Sequence, residues 1–158
     1  MLALFIVIFA LLIAFAGVIV RGAPYLPTLR RQTGMALELL DLKPGQTLLE
    51  LGSGDGTVLI AAAQKGLNAV GIELNPFLVA TAWLRTRKYR KQVRIIWGDL
   101  WLVDWPPHDA VFVFLLERFM SRLDKRMQTD KKLLASFAFK IPGRKAVAEK
   151  SGVFLYRY

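Results

Sequence analysis

Leu48 to Gly56 reads LLELGSGDG, an apolar run closed by an acid and followed by glycines at 52, 54 and 56. Glycine on alternate positions lets backbone turn sharply and approach a ligand closely, so the segment predicts a strand that turns into a helix around something bound. The elements around it set the fold. Thr47–Leu51 reads as a buried strand, Gly56–Lys65 as an alanine-rich helix closed by Gly66, and Asn68–Glu73 as a second strand. Asn75 and Pro76 make a helix start, a capping side chain followed by proline at the first helical position, ahead of FLVATAWLRTRKYRK. Val93–Trp97 and Ala110–Leu115 read as the third and fourth strands, Glu117–Leu134 as a helix with a charged outer face, and Phe137–Ile141 as a fifth strand. Lys145–Glu149 and Val153–Tyr158 flank Lys150-Ser151-Gly152 and read as a terminal hairpin. This alternation predicts an α/β, Rossmann-like doubly wound sheet, mostly parallel, with a C-terminal antiparallel hairpin.

Residues 1–20, MLALFIVIFALLIAFAGVIV, contain no charge and no proline. As a helix they would span about 30 Å, the thickness of a bilayer's hydrocarbon core. A cleaved signal peptide would carry basic residues ahead of a shorter apolar run, and no Lys or Arg precedes this one. One N-terminal transmembrane helix is therefore expected, with a signal peptide as the alternative. Arg21, Arg30 and Arg31 follow the span, which keeps the rest of the chain on the cytoplasmic or mitochondrial-matrix side. GAPYLPT is a proline-broken linker, and Leu29 to Leu42 places Leu29, Thr33, Ala36, Leu37 and Leu40 on one helical face. The expected organisation is an anchor over 1–20, a linker and amphipathic helix over 21–45, and a ligand-binding domain over 46–158.

The chain has no cysteine and one histidine, His108, which argues against disulfides, thiolate metal sites and histidine-based metal sites. Its net charge of +10 belongs wholly to residues after the apolar segment. Arg85, Arg87, Lys88, Arg90, Lys91 and Arg94 form one cluster; Arg118, Arg122, Lys125, Arg126, Lys131 and Lys132 form another. Solvated helix faces are the plain reading. For a chain tethered at headgroup level, an anionic bilayer surface is favoured over nucleic acid as the partner.

Ligands of doubly wound sheets sit beyond the carboxyl ends of the strands, where Gly52, Gly54 and Gly56 fall. The dinucleotide fingerprint wants glycine at its sixth position and finds Thr57, and no phosphate-loop lysine follows. The acids decide between ligands. Glu50 closes the first strand, Glu73 closes the second, and Asp99 follows the third. Glu73, about 20 residues past the glycines, is placed for both ribose hydroxyls, and Asp99 for an adenine amino group. Glu50 and Asp55 would repel a pyrophosphate and would attract an ammonium or a sulfonium. S-adenosylmethionine meets all of these requirements.

ELGSGDG, GIELNP and GDLW together resemble the seven-strand, class I S-adenosylmethionine-dependent methyltransferases. The likeness is greatest to the small membrane-anchored lysine methyltransferases of mitochondria and their prokaryotic relatives, which modify the adenine nucleotide translocase and the ATP synthase c-subunit. It extends from the apolar N-terminus and PYLPT through VFVFLL to the hairpin after FAFKIP. The resemblance implies that Glu50, Gly52, Ser53, Gly54, Asp55 and Gly56 line the methionine end of the cofactor. Glu73 and Leu74 would then take the ribose, and Asp99 with Leu100 the adenine. Leu115-Leu116-Glu117-Arg118 departs from the small or proline-containing segment that relatives carry after the fourth strand.

Methyl transfer from a sulfonium needs an aligned nucleophile and a dry site more than acid–base help. No Asn-Pro-Pro-Tyr segment of the kind used by amide and adenine methylases is present. Tyr25 and Glu117 are the candidates on the acceptor side. The expected activity is methylation of a lysine in an integral membrane protein. A lipid or quinone-like acceptor, or a non-catalytic membrane adaptor of the same fold, are the alternatives.

Overall fold

The computed structural model describes residues 30–158, together with Met1, Phe5, Ile6 and Phe9. The expected anchor over residues 1–20, its alternative as a signal peptide, and the linker with Tyr25 lie outside the described residues, those four positions apart. Among the described residues no helix is long and apolar enough to cross a membrane.

Helix α1 (Arg30–Leu40) buries Thr33, Ala36, Leu37 and Leu40, spaced three and four apart as an amphipathic helix requires. It packs into the core rather than serving as a spacer. Strand β1 (Thr47–Leu51) leads through the glycine loop into α2 (Thr57–Gln64), and β2 (Asn68–Glu73) leads into α3 (Pro76–Thr86). The Asn75 side chain caps α3 by accepting from the Phe77 N–H at 2.9 Å, and Pro76 occupies the first turn. Strands β3 (Val93–Trp97) and β4 (Ala110–Val113) follow, then a 3-10 turn at Glu117–Phe119, α4 (Met120–Asp130), β5 (Leu133–Phe137), β6 (Ala148–Lys150) and β7 (Val153–Arg157).

These strands form one sheet in the order β3-β2-β1-β4-β5-β7-β6. β1 pairs in parallel with β2 on one side and β4 on the other, so the strand order reverses between β1 and β4. That reversal opens the crevice in which such sheets bind ligands. β7 runs antiparallel to β5 and to β6. Alternate residues of β1 face opposite ways. Leu48 joins Phe112, Ala135, Ala36, Leu37 and Leu59 in the core beneath α1 and α2. Leu49 and Leu51 join Val111, Val113 and Leu134 against Met120, Leu123 and Met127 of α4. The sheet is thus covered on both faces.

Strands β1, β2 and β3 run as their sequence predicts, whereas the C-terminal third is displaced. The expected helix over Glu117–Leu134 ends at Asp130, where Lys131 takes a left-handed conformation with φ 57°. Leu133 and Leu134, which continue the helical apolar spacing, instead begin β5 and pair with Ala110 and Val111 of β4. Of the expected fifth strand at Phe137–Ile141 only Phe137 is strand, and the chain turns from Ala138 on. Ala138 has φ 69°, the Phe139 carbonyl accepts from the Ser136 hydroxyl at 2.7 Å, and the Ile141 N–H donates to the Tyr156 hydroxyl at 3.0 Å. The fourth strand also stops two residues earlier than expected, at Val113. The terminal hairpin is present but shorter. Its turn residues Ser151 and Gly152 have φ 50° and 77°, the left-handed pair that two-residue hairpins need.

Candidate active site

The three glycines of the loop do different things. Gly52, Gly54 and Gly56 all have positive φ, at 77°, 53° and 79°, which side chains rarely tolerate. A Cβ on Gly52 would meet nothing within 4 Å, so this residue presents bare backbone to open space at the end of β1. Gly56 sits where a Cβ would fall 3.1 Å from Thr86 and 3.2 Å from Ala82, so it lets α3 lie against the start of α2. The Gly54 N–H donates to Glu73 at 2.8 Å, tying the loop to the end of β2.

Glu73 is buried. Its other oxygen accepts from the Asn75 N–H at 2.8 Å, so each carboxylate oxygen keeps one lone pair for a further donor. Glu50, 4% exposed, lies between Gly71 of β2 and Phe112 of β4. Its Oε2 is buried without a hydrogen-bond partner among the described residues, as is the Ser53 hydroxyl. Burial first, and the Glu73 charge second, push the Glu50 carboxyl well above the usual carboxylate range. A buried acid with one oxygen unpaired among the described residues, beside a second acid, is a site that a cation would relieve.

Asp55 sits differently from Glu50. Its Oδ1 accepts from the N–H and the hydroxyl of Thr57, at 3.1 and 2.8 Å, capping α2, and its other oxygen pairs with Arg85 of α3. Asp55 therefore braces the loop from α2 and α3. Leu74 is half-buried, and its carbonyl accepts from the Trp97 indole at 3.0 Å. Asp99 accepts from the Trp101 N–H at 2.8 Å and follows Gly98, whose N–H donates to the Glu73 carbonyl at 2.9 Å. The carboxyl edges of β1, β2 and β3 thus hold Glu50, Glu73 and Asp99 around the glycine loop. Glu117 is exposed at the 3-10 turn beyond β4, the strand that pairs with β1; Tyr25 is outside the described residues.

Two supports escaped the sequence reading. Gly71 lies opposite Glu50, and a Cβ there would run into the Ser53 hydroxyl and stand 2.7 Å from Leu59. A lone glycine inside a strand was the available signal. The second support is Arg126 of α4. It donates to the carbonyls of Leu100 and Val103, both at 2.9 Å, and stacks 4.1 Å from the Trp105 ring. One turn earlier Arg122 stacks 4.4 Å from Trp101. Members of the second basic cluster thus clamp the loop that carries Asp99 and Leu100. The spacing of Arg118, Arg122 and Arg126 beside an aromatic-rich WLVDWPP was the sign of it.

Residues 50–148 match the ANTKMT methyltransferase domain. The chain belongs to this methyltransferase family. The ATP synthase c-subunit lysine N-methyltransferase of Xenopus laevis is 38% identical over 112 residues, which cover 68% of this chain and 48% of that protein. A protein-lysine N-methyltransferase of Saccharolobus islandicus is 30% identical over 129 residues, covering 76% of this chain and 79% of that one. Among solved structures, an RNA methyltransferase from Salinibacter ruber, crystallised with S-adenosyl-L-homocysteine, superposes with a TM-score of 0.76 at 28% identity. That match covers 84% of this chain and 92% of the other. The chain spans about half the length of the vertebrate c-subunit methyltransferases it matches. Family membership agrees with the resemblance carried by ELGSGDG, GIELNP and GDLW.

Proposed function

We propose that this protein is an S-adenosylmethionine-dependent protein-lysine methyltransferase whose acceptor is a lysine of a membrane protein. The observation that carries the reading is Glu50, a buried carboxyl with an oxygen that has no partner among the described residues, beside the bare backbone of Gly52. A cationic ligand fits that position, and a phosphate does not. The curated relatives named for lysine methylation support the choice of acceptor.

When bound, the cofactor supplies an electrophilic methyl group on a sulfonium. The chain's own part is to hold and to exclude. Glu50 takes the cationic amino-acid end, and its ionised form is restored as positive charge arrives. Gly52 and Ser53 give that end room and polar contact. Glu73 offers its remaining lone pairs to the ribose, next to Leu74. Asp99 and Leu100, on the clamped loop, take the adenine. Asp55 and Gly56 hold the loop in shape from α2. On the acceptor side, Glu117 projects from the turn after β4, where a carboxylate would attract a lysine ammonium, and Tyr25 is the second candidate.

Residues 1–20 serve in this reading as a single-pass anchor that holds the catalytic domain at the cytoplasmic or matrix face of a membrane. Confinement to that shell raises the effective concentration of a membrane-borne lysine without new contacts. Comparing tryptic peptides of membrane fractions from cells with and without the gene tests the reading. A lysine of an integral protein that loses its methyl groups in the deletion supports it. Methylation loss confined to RNA or to extractable lipid would overturn it in favour of those acceptors.

A further inference from the structure

The two basic clusters of the chain are put to different uses. Arg122 and Arg126 are turned onto Trp101 and Trp105. The first cluster belongs to a segment, Asn75 to Gly98, that contains no Asp or Glu at all. Of its six bases, Arg85 pairs with Asp55, while Arg87, Lys88, Arg90, Lys91 and Arg94 are exposed. The same segment turns large apolar groups outward. Phe77 and Leu84 of α3 are 61% and 56% exposed, and they lie seven residues apart on one helical face. Trp83 and Trp97 are each 67% exposed.

A helix on a folded domain normally turns its apolar face inward. α3 buries Ala82 and Thr86 and shows Phe77, Trp83 and Leu84 to the outside. Arg94 on the edge strand β3 could serve to block strand pairing, but that does not account for outward-facing Phe, Trp and Leu on a helix. Exposed apolar and aromatic side chains carried on a Lys- and Arg-rich segment with no acid in it match the chemistry of an interfacial helix on an anionic membrane. Single-stranded nucleic acid would want a groove with stacking platforms; here the apolar groups stand on a convex helix.

We propose that the outer face of α3, with Phe77, Trp83 and Leu84, together with Trp97 at the end of β3, docks on the headgroup region of an anionic bilayer. Leu102, in the loop just after Asp99 at the carboxyl edge of the sheet, is a further large apolar side chain left 81% exposed. Docking there would bring the mouth of the site to headgroup level. The inference deepens the membrane-acceptor reading and rests on it for its purpose, but the contact itself can be measured without any methyl transfer.

The chain has no cysteine, so single labels are simple to place. Full-length Leu84→Cys, and Gln128→Cys as a control on α4 across the sheet, would each carry an environment-sensitive fluorophore. Each is reconstituted into vesicles of phosphatidylcholine with or without phosphatidylserine, and quenching by nitroxide lipid is recorded. The Leu84 label should be quenched several-fold more than the control in anionic vesicles, and less so as salt is raised. Combining Leu84→Cys with Arg87→Glu, Lys88→Glu and Arg90→Glu should abolish the difference while circular dichroism stays unchanged. Three results would overturn the proposal. The Leu84 label could stay in water on both vesicles. It could be shielded equally on both, which would mean that another part of the chain or a second copy covers α3. Or single-stranded RNA, and not phosphatidylserine, could shield it.

Discussion

The Gly54 N–H and the Glu73 carboxylate, 2.8 Å apart, join the glycine loop after β1 to the carboxyl end of β2. That bond ties the loop to Glu73, and each carboxylate oxygen still keeps a lone pair, which the proposed reading gives to a ribose. Replacing Glu73 by Ala removes the acceptor for both Gly54 and Asn75. Loss of hydrogen bonds to a charged acceptor costs about 1–3 kcal/mol, so affinity for S-adenosylhomocysteine should fall about 5- to 150-fold. Titration calorimetry reads this directly. Unchanged affinity in a folded Glu73→Ala protein would remove Glu73 from the site.

Glu50 makes the ligand-free protein sensitive to pH in a particular sense. Its carboxyl is raised in the folded state by burial and by Glu73, so between its unfolded and folded values the folded chain holds the extra proton. Stability from this group is complete below the unfolded value, near the ordinary carboxyl figure of 4.5, and is lost as pH rises through the folded one. Thermal melts of the ligand-free protein should therefore decline upward from mildly acidic pH, and Glu50→Gln should flatten that decline. A cation binding beside Glu50 reverses the preference, so S-adenosylmethionine binding should release protons from the wild type and none from Glu50→Gln. Calorimetry in buffers of different ionisation enthalpy separates the two. Equal proton release from both proteins would contradict the role given to Glu50.

Arg126 should matter to ligand binding although it lies on α4. Arg126→Gln loses the fork that holds the Leu100 and Val103 carbonyls, along with the stack on Trp105. The expected effect is about 1–3 kcal/mol shared between stability and affinity, seen as a higher cofactor KM with kcat little changed. Arg126→Lys should recover little, because an ammonium cannot span both carbonyls as a planar guanidinium does. A change in kcat alone would place Arg126 in another role.

The core of the site was legible because strand ends and glycines announce themselves locally. Leu48 to Gly56, Glu73 and Gly98-Asp99 each sit at or just past the end of a short strand rich in Leu, Val and Ile. What was illegible depended on contacts far apart in sequence. Asp55 reads as a second acid for the cationic end of the ligand, and its contacts with Thr57 and with Arg85 of α3, thirty residues on, appear only in the fold. Leu133 and Leu134 continue a helical spacing, and their place in β5 is decided by parallel pairing with β4. Gly71 stands out in the sequence only as a glycine inside a strand, and which group needs its missing side chain is decided by Ser53 packing over it.

That packing makes Gly71 the most exacting small residue of the site. Gly71→Ala would drive a methyl against the Ser53 hydroxyl and Leu59, and overpacking of this sort costs about 1–3 kcal/mol. The melting temperature should drop by several degrees. Ser53→Gly in the same chain should restore part of the loss, since the Ser53 hydroxyl has no hydrogen-bond partner among the described residues to forfeit. Full stability in Gly71→Ala would mean that the loop lies further from β2 than described.

The central claim is that a methyl group leaves S-adenosylmethionine for a lysine at a membrane. The most direct measurement gives the purified full-length protein isolated membranes and cofactor carrying an isotopically heavy methyl group, then hydrolyses the delipidated protein to amino acids. Heavy methyl-lysine from the wild-type protein, and close to none from Glu50→Gln or Glu73→Ala, is the result expected here. Heavy label found in RNA or in the lipid extract, with no methyl-lysine formed, would contradict it.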